Sequence, residues 1–350
     1  MQPIIEQYRL DSEPLNVKAF GSGLINDTWV VETKDSKYIL QRVNHEIFRQ
    51  PQLIDDNINA IARYIQKHAP GYLFTTPVTT RQNASLIHDG AGYYRMFEFV
   101  PGSKTYDVVQ SPGLAYEAAK QFGKFTRILA GFPVESLKIT LPDFHNLNLR
   151  YFQFGNALKT ASADRLKKAQ FIVAALQSHA AIVNRYNEIL GNPAFKIRVT
   201  HHDTKISNVL FSESGHGLCV IDLDTVMPGY FISDVGDMMR TYLTAAGEEE
   251  TDFSKVFVRE EYFAAIVNGY LSEMNEELTT EELNSFVYAG KFMIYMQALR
   301  FITDYLNNDV YYGARYELHN YNRAANQLAL LESLIAKESV LQQQAYALVG

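Results

Sequence analysis

The chain has 350 residues, of which 47% are hydrophobic and 13% aromatic, so it can form a folded core and is not expected to be disordered. Its formal net charge of −7 argues against a nucleic-acid-binding protein, which normally carries a basic surface. The one cysteine, Cys219, excludes a disulfide within the chain, and no apolar run approaches the ~18 residues of a membrane span. The first ten residues also lack the apolar segment of a signal peptide. We therefore expect a cytoplasmic protein of two lobes.

The first hundred residues are predicted to form a β-rich lobe. Runs of β-branched and aromatic residues, bounded by turn residues, predict strands over residues 17–20, 29–33, 38–43, 84–88 and 93–99. Pro51 begins a predicted helix of about four turns that ends before Pro70 and Gly71. Val100-Pro101-Gly102 follows the last strand, so we place the boundary between the lobes after residue 100.

Residues 101–350 are predicted to be mainly helical. Apolar residues at helical spacing predict helices over residues 114–129, 164–190, 259–275, 280–306 and 320–336. Ser162 and Thr279 are suitable N-caps. The exception is a short hairpin, in which residues 209–211 and 218–221 are the strands. The predicted fold class is therefore α+β and bilobal, with a small β-rich lobe and a larger, mainly helical one.

The hairpin lies between two groups of polar residues that together indicate phosphoryl transfer. Before it stands the octet His201-His202-Asp203-Thr204-Lys205-Ile206-Ser207-Asn208, and after it Asp222-Leu223-Asp224. A kinase needs a carboxylate for the acceptor hydroxyl, and oxygen ligands that hold Mg²⁺ on the phosphates of ATP. We predict that Asp203 is the catalytic base. Asn208 and Asp222, brought to one end of the hairpin, are the predicted metal ligands.

The adjacent His201 and His202 could instead indicate a zinc site. Such a site usually needs three or four His, Cys or carboxylate ligands, and the chain has neither a C-x-x-C nor an H-E-x-x-H motif. Zinc is therefore the weaker interpretation. We expect His201 to hydrogen-bond to the backbone of the catalytic loop.

A glycine-containing loop between two predicted strands indicates where the nucleotide binds. Gly21-Ser22-Gly23 lies between strands, whereas a Walker A or dinucleotide motif needs a strand followed by a helix. A strand–loop–strand arrangement is typical of the flap that covers the phosphates in kinases, where glycine lets the backbone approach closely. Residues 95–102 are then the hinge, in which backbone groups of Glu98 and Val100 meet adenine.

With these motifs, the chain resembles the aminoglycoside phosphotransferase and choline kinase superfamily, and within it the N-acetylhexosamine 1-kinases. The matching passages are residues 23–28, 38–42, 95–98, 201–208, 220–229, 299–306 and 309–312. The resemblance implies a kinase-like bilobal fold and transfer of the ATP γ-phosphate, with Mg²⁺, to the anomeric hydroxyl of an N-acetylated hexosamine. It also implies that Arg300 and Tyr311 contact the sugar. Asp224 is expected to be a second sugar or metal contact.

The chain departs from the protein-kinase pattern, so we expect no protein substrate. Its third strand contains no phosphate-pairing lysine, and strand alternation does not decide whether Gln41 or Arg42 faces the nucleotide. We expect Arg42, because a guanidinium can bind phosphate oxygens in a fork. The helix after Pro51 offers Asp55 and Asp56 but no evident glutamate partner.

Two other functions remain open at this point. Choline, ethanolamine, homoserine and aminoglycoside kinases share the catalytic octet, so the acceptor could be one of those alcohols. A catalytically inactive nucleotide-binding regulator is disfavoured, because the base and both metal ligands are present.

Overall fold

A five-stranded antiparallel sheet forms the N-terminal lobe in the computed structural model, which describes residues 1–21 and 25–349. In chain order the strands are β1 (Asn16–Ala19), β2 (Asp27–Glu32), β3 (Lys37–Val43), β4 (Leu86–His88) and β5 (Tyr93–Glu98). Their spatial order is β1-β2-β3-β5-β4. Every strand ends within two residues of its predicted bounds, so the prediction of a β-rich lobe is confirmed.

The two faces of this sheet pack against different parts of the protein. Leu40 of β3 is buried with Ile4 and Ile5 of the short helix α1 (Gln2–Ile5). Because side chains alternate along a strand, Gln41 lies on the opposite face, which is directed toward the rest of the chain. Phe97 of β5 shares that face and packs against the main core.

Helix α2 (Pro51–His68) begins at the predicted residue and joins the two lobes. Its Asn57 side chain donates hydrogen bonds to the carbonyl oxygens of Val226 (3.0 Å) and Lys138 (2.8 Å). These backbone acceptors both lie in the C-terminal part of the chain. The orientation of α2 is therefore set by the larger lobe as well as by the sheet.

The C-terminal lobe is mainly helical, as predicted. Its helices are α3 (Pro112–Ile128), α4 (Leu147–Thr160), α5 (Ala163–Ser178), α6 (Ala181–Leu190), α7 (Phe231–Tyr242), α8 (Glu260–Met274), α9 (Thr280–Leu283), α10 (Phe286–Leu306), α11 (His319–Ala336) and α12 (Glu338–Val349). Helix α10 is buried along most of its length and packs against α4, α5, α7 and α11. None of the helices in residues 1–21 and 25–349 is both long and apolar enough to cross a membrane.

Some helix predictions were wrong in their bounds. The helix expected over residues 164–190 is interrupted at His179 and Ala180, and the one expected over 280–306 is interrupted at residues 284–285. Helices α4, α7 and α12 were not predicted. In α7 the reason is visible, because Asp234 and Asp237 lie on its buried side and obscure the apolar pattern. The predicted caps Ser162 and Thr279 both accept backbone N–H groups, so they are confirmed.

The predicted hairpin is confirmed and lies beside a second strand pair. Strand β7 (Val209–Phe211) pairs with β8 (Gly217–Val220), and β6 (Arg198–Thr200) pairs with β9 (Met227–Gly229). At the open end of the hairpin the Ile221 N–H donates to the Asn208 carbonyl oxygen at 2.9 Å. The segments that carry Asn208 and Asp222 therefore run side by side.

Candidate active site

A buried carboxylate holds the backbone of the octet after β6. Asp234, in the first turn of α7, accepts hydrogen bonds from the N–H groups of His201 (3.0 Å) and His202 (2.7 Å). The Thr204 hydroxyl donates to the Asp234 carbonyl oxygen at 2.8 Å. Burial raises the pKa of Asp234 to about 7, against the opposing effect of the two N–H donors. The turn at His202 has a left-handed backbone (φ 66°), which these bonds stabilise.

The buried ring of His201 connects the octet to the hairpin. Its Nε2 lies 2.9 Å from the Ile221 carbonyl oxygen, and its Nδ1 accepts the Asp203 N–H at 3.3 Å. The ring packs edge-on against Phe122. Burial lowers the pKa of His201, so the neutral ring with a proton on Nε2 satisfies both contacts. His201 thus has the backbone-bonding role expected from the sequence.

The Asp203 carboxylate lies at the opening between the lobes, with its side chain 21% exposed. The Lys205 ammonium is 3.1 Å from Asp203 Oδ2, and the Asn208 amide donates to the Asp203 carbonyl oxygen at 2.9 Å. Burial lowers the pKa of Lys205, but the carboxylates of Asp203 and Asp222 more than offset this effect, and the pKa is raised. Lys205 is therefore a permanent positive charge beside Asp203.

Asp222 follows β8 in a left-handed conformation (φ 61°, ψ 63°), and its side chain is exposed to the space between the lobes. The pKa of Asp222 is raised, first by desolvation from the protein groups around its carboxylate and then by repulsion from the Asp224 and Asp203 carboxylates, although part of the residue stays in contact with solvent. The Asn208 amide nitrogen is already bonded to the Asp203 carbonyl, so its Oδ1 is left as an oxygen ligand. Within the described part of the chain no cluster of three His, Cys, Asp or Glu residues is suited to a metal. A carboxylate and an amide oxygen nonetheless fit Mg²⁺, which keeps several waters and binds substrate phosphates.

Asp224 is part of a buried network that joins the two lobes. Its Oδ1 lies 2.5 Å from Arg95 Nη1, and its Oδ2 accepts the Asn26 amide at 2.7 Å. Arg95 also donates from Nε and Nη2 to Gln41 Oε1, at 3.0 and 2.9 Å. Both oxygens of Asp224 therefore bind side chains of the N-terminal lobe, and its contact with a sugar or a metal stays a prediction.

Comparison with known proteins shows the family and the fold of the chain. The profile of the phosphotransferase enzyme family (APH) matches residues 16–275. The chain belongs to this family. Among solved structures it is similar to an aminoglycoside phosphotransferase from Alicyclobacillus acidocaldarius, with a TM-score of 0.68 and 16% identity over 99% of this chain and 96% of that one.

Two further structures show the same fold. A microcompartment-associated aminopropanol kinase matches with a TM-score of 0.67 and 17% identity over 96% of this chain and 97% of that one. A choline kinase from Cryptosporidium parvum matches with a TM-score of 0.57 and 16% identity over 96% and 93% of the two chains. The predicted kinase-like α+β fold is therefore confirmed.

The nucleotide side of this phosphotransferase differs in part from the prediction. Arg42 lies on the face of β3 opposite to Gln41 and pairs with Asp27 at 3.4 Å on the half-exposed outer side of the sheet. It does not reach the network of Asp224, so the expectation for Arg42 is not supported. Gly21 has a left-handed backbone (φ 78°), for which glycine is favoured, whereas Gly23 lies outside the described residues.

The residues predicted to form the hinge lie at the end of β5 and just after it. Glu98 is the last residue of β5 and is paired with Tyr38 in the ladder. The Val100 carbonyl oxygen accepts the hydroxyl (2.7 Å) and the N–H (3.3 Å) of Ser103, which tightens the turn that leaves the lobe. Both residues lie where the sheet passes into the connection to α3.

Arg300 and Tyr311 lie in a group of side chains that we name the arginine wall, consisting of Arg150, Gln297, Arg300, Tyr311 and Tyr312. Arg300 Nη1 donates to Gln297 Oε1 at 3.1 Å, and its guanidinium lies 5.4 Å from the centre of the Tyr312 ring. The Asp304 carboxylate accepts the N–H groups of Tyr311 (2.7 Å) and Tyr312 (2.9 Å) and so fixes their turn. Tyr311 is 75% exposed at the rim.

The arginine wall stands beside the catalytic octet. His145, just before α4, has its Nδ1 3.4 Å from Nδ1 of His202, the residue that precedes Asp203. Burial lowers the pKa of His145, and the nearby groups of His202, Arg300 and Arg150 lower it further. His145 therefore contacts the octet and lies within the electrostatic influence of Arg300 and Arg150.

Sequence reasoning did not find Asp234, Arg95, Lys205 or Arg150. Lys205 was within the octet but carried no assigned role. Arg95 is the one basic residue of β5, and Asp234 is one of two acids on the buried side of α7. Charged residues at buried positions need partners, so these two could have been recognised from the pattern. Arg150 gave no comparable signal.

Proposed function

We propose that this phosphotransferase is an ATP-dependent small-molecule kinase that phosphorylates the anomeric hydroxyl of an N-acetylhexosamine. The observation that carries the proposal is the arginine wall in the lobe region that His145 joins to the octet, where Arg300, bonded among the described residues only to Gln297 at 3.1 Å, has donors left for a ligand. Such groups suit the hydroxyl and carbonyl oxygens of a sugar. The resemblance of residues 299–306 and 309–312 to the hexosamine kinases points to the same substrate.

In the proposed reaction Asp203 accepts the proton of the acceptor hydroxyl. The acceptor oxygen forms a bond to the γ-phosphorus while the bond from that phosphorus to the β–γ bridging oxygen breaks, giving the sugar 1-phosphate and ADP. The anomeric hydroxyl is more acidic than an ordinary alcohol, so it needs a weaker base. Lys205, 3.1 Å from Asp203, holds the carboxylate in place and adds positive charge beside the phosphates.

Asn208 and Asp222 would hold Mg²⁺ in this scheme. The metal would neutralise the negative charge of the ATP phosphates. Asn208 also fixes the Asp203 backbone through its amide, so the two roles of this side chain are compatible. Asp222 is exposed to solvent, and its segment runs beside that of Asn208, which supports the assignment.

We further propose that residues 1–100 bind the nucleotide and that residues 101–350 carry catalysis and substrate binding. Gly21 and Gly23 would cover the phosphates, and backbone groups of Glu98 and Val100 would meet adenine. Since Arg42 lies on the outer face, the buried Arg95 supplies the positive charge at the base of this lobe. A cytoplasmic location agrees with the single, buried cysteine.

A kinase for choline, ethanolamine or another cationic alcohol is the alternative. A cationic acceptor needs a free carboxylate or an aromatic cage. Near the wall, the Asp304 carboxylate binds backbone N–H groups, and Glu248 pairs with Arg240 (3.0 Å) and Arg323 (2.7 Å). Because these acids have internal partners and the wall itself is positively charged, the geometry favours the sugar.

An ADP-release assay over a panel of acceptors tests the proposal. The panel contains N-acetylglucosamine, N-acetylgalactosamine, their 1-O-methyl glycosides, choline, ethanolamine and an aminoglycoside, with a reaction lacking acceptor as the control. We expect ADP only with the free N-acetylhexosamines, and NMR of the product should place the phosphate on C1. Phosphorylation of a methyl glycoside, or a preference for choline, would refute the proposal.

A further inference from the structure

Two arginines of the wall have no carboxylate partner in the described part of the chain. Arg300 donates to Gln297 Oε1 at 3.1 Å. Arg150 donates to Gln153 Oε1 at 3.1 Å and to the Asp143 carbonyl oxygen at 2.9 Å. All of these acceptors are uncharged, so both positive charges remain without a counter-ion among residues 1–21 and 25–349.

Two other arginines in this part of the lobe do have carboxylate partners. Arg240 and Arg323 lie in the same part of the lobe, and both pair with Glu248, at 3.0 and 2.7 Å. Arg240 also pairs with Asp237 at 3.0 Å. Arginines of this region can therefore be neutralised by the protein itself.

The two uncompensated charges are neighbours. Loss of water contact lowers the pKa of Arg150, and the charge of Arg300 is the largest further cause. In addition, Arg150 Nε is buried and has no hydrogen-bond partner in the described part of the chain. A buried donor without an acceptor costs free energy. A substrate group that accepts a hydrogen bond from Arg150 would remove this cost and would offset the repulsion between the two arginines.

Arg150 and Arg300 lie on the side of the proposed acceptor site and not on the side of the proposed ATP site. Arg150 stands in the first turns of α4, which packs against α10, the helix of Arg300. His145, just before α4, lies 3.4 Å from His202, the residue before Asp203, so this side of the lobe adjoins the octet. The network around Arg95, on the nucleotide side, belongs to the other lobe.

We propose that Arg150 and Arg300 together bind an anionic group of the acceptor, so that the preferred substrate is an N-acetylhexosamine with an acidic substituent away from C1. The inference rests on the proposed function and narrows its substrate class. A carboxylate, sulfate or phosphate has the oxygen geometry that two guanidinium groups bind in a bidentate manner. Such a group would bring to the wall the negative charge that Glu248 gives to Arg240 and Arg323.

The test compares neutral and acidic acceptors. Values of kcat/KM are measured for N-acetylglucosamine and for its 6-sulfate, 6-phosphate and 6-carboxylate (uronic acid) forms, with wild type and with Arg150→Gln and Arg300→Gln. We expect wild type to prefer at least one acidic form by about tenfold or more, and each variant to lose most of that preference. The surface change Arg185→Gln is the matched control and should keep it, since Arg185 pairs with Glu188 far from the wall.

A second measurement needs no variant. Raising the salt concentration should increase KM for the acidic acceptor and leave KM for the neutral one nearly unchanged, because only the former depends on charge. If neutral and acidic hexosamines react equally well with the same salt dependence, the proposed function stands and this inference fails. The inference about the acidic substituent also fails if Arg150→Gln and Arg300→Gln change KM for ATP and not the preference among acceptors. If no hexosamine reacts and another alcohol does, the proposed function itself is wrong.

Discussion

The catalytic octet and the arginine wall stand side by side and are built in opposite ways. In the octet, the backbone N–H groups of His201 and His202 bind Asp234, and the amide of Asn208 binds the Asp203 carbonyl. In the wall, Arg150 and Arg300 have no carboxylate partner in the described part of the chain. The octet thus has protein partners for these polar groups without a ligand, whereas the wall leaves two arginines without a counter-ion in the described residues.

We infer from this difference that the octet carries out the chemistry and that the wall recognises the acceptor. Phosphoryl transfer depends on a fixed position of the base and the metal ligands, and internal hydrogen bonds provide that position before any substrate binds. Recognition depends on groups that are still free to bond. In the proposed function the octet would therefore act on the phosphate, and the wall would select the acceptor.

The largest effect is expected at the metal ligands. Asp222→Ala removes the carboxylate ligand and should lower kcat by at least about 10³-fold, since metal stabilisation of transition-state charge is worth several kcal/mol. Asn208→Ala should keep some activity that rises with added Mg²⁺ or Mn²⁺. Steady-state kinetics over a metal titration measures both. Full activity of Asp222→Ala would mean that the hairpin is only structural.

The second prediction concerns the base. Asp203→Asn keeps the shape of the side chain but cannot accept the proton, so kcat should fall by about 10²–10⁴-fold. The affinity for ATP should barely change, because Asp203 is proposed to bind the acceptor hydroxyl and not the nucleotide. Turnover and nucleotide binding are measured on the same preparation. Asp164→Asn, at an exposed site on α5, is the control and should behave as wild type. Near-normal turnover of Asp203→Asn would remove Asp203 from the mechanism.

A third prediction tests whether Asp234 sets the geometry of the octet. Asp234→Asn offers only one oxygen to the two N–H groups of His201 and His202, so a buried donor loses its partner. The free energy of unfolding should fall by about 1–3 kcal/mol. Because the loop loosens, kcat should fall as well while KM for ATP changes little. Urea denaturation and kinetics check this, and unchanged values of both would contradict the anchoring role.

The fourth prediction uses the buried ring of His202. Burial lowers the pKa of His202 to about 4, below its ordinary value of 6.5. Between these values the unfolded chain binds a proton that the folded chain does not, so this ring destabilises the protein as pH falls from 6.5 toward 4. The effect is at most about 1.4 kcal/mol per pH unit.

Buried carboxylates with a raised pKa, such as Asp234, make the protein more stable as the pH falls, which opposes the effect of His202. The contribution of His202 is therefore measured as the difference in stability between wild type and a variant without this ring. His202→Asn suits the left-handed backbone at this position and removes the titrating group. Denaturation from pH 7.5 to 4.5 should show wild type losing stability relative to His202→Asn as the pH falls. Parallel curves would show that His202 does not titrate in this way.

The smallest effect is expected at the rim of the wall. Tyr311 is 75% exposed, so Tyr311→Phe removes at most one neutral hydrogen bond to the acceptor. Such a bond is worth about 0.5–1.5 kcal/mol, which corresponds to a change in kcat/KM of about two- to tenfold. KM for ATP serves as the internal control. A loss comparable to that of Asp203→Asn would show that the rim takes part in the chemistry.

The sequence by itself determined the features that depend on neighbouring residues. The five strands, the caps Ser162 and Thr279, and the hairpin between Asn208 and Asp222 follow from short-range patterns of apolar, turn and polar residues. The ends of the helices were predicted less accurately than those of the strands. Apolar spacing continues across the break at His179, so periodicity alone did not separate α5 from α6.

Only the tertiary structure decided which polar groups meet. Gln41 and Arg42 are adjacent in the chain, yet packing of Leu40 against α1 turns one toward Asp224 and the other away from it. The partners of Asp224 come from the other lobe, far from it in sequence. Arg150 and Arg300 become neighbours because α4 packs on α10. Local sequence sets the conformation of a segment, but the face that it buries depends on the whole core.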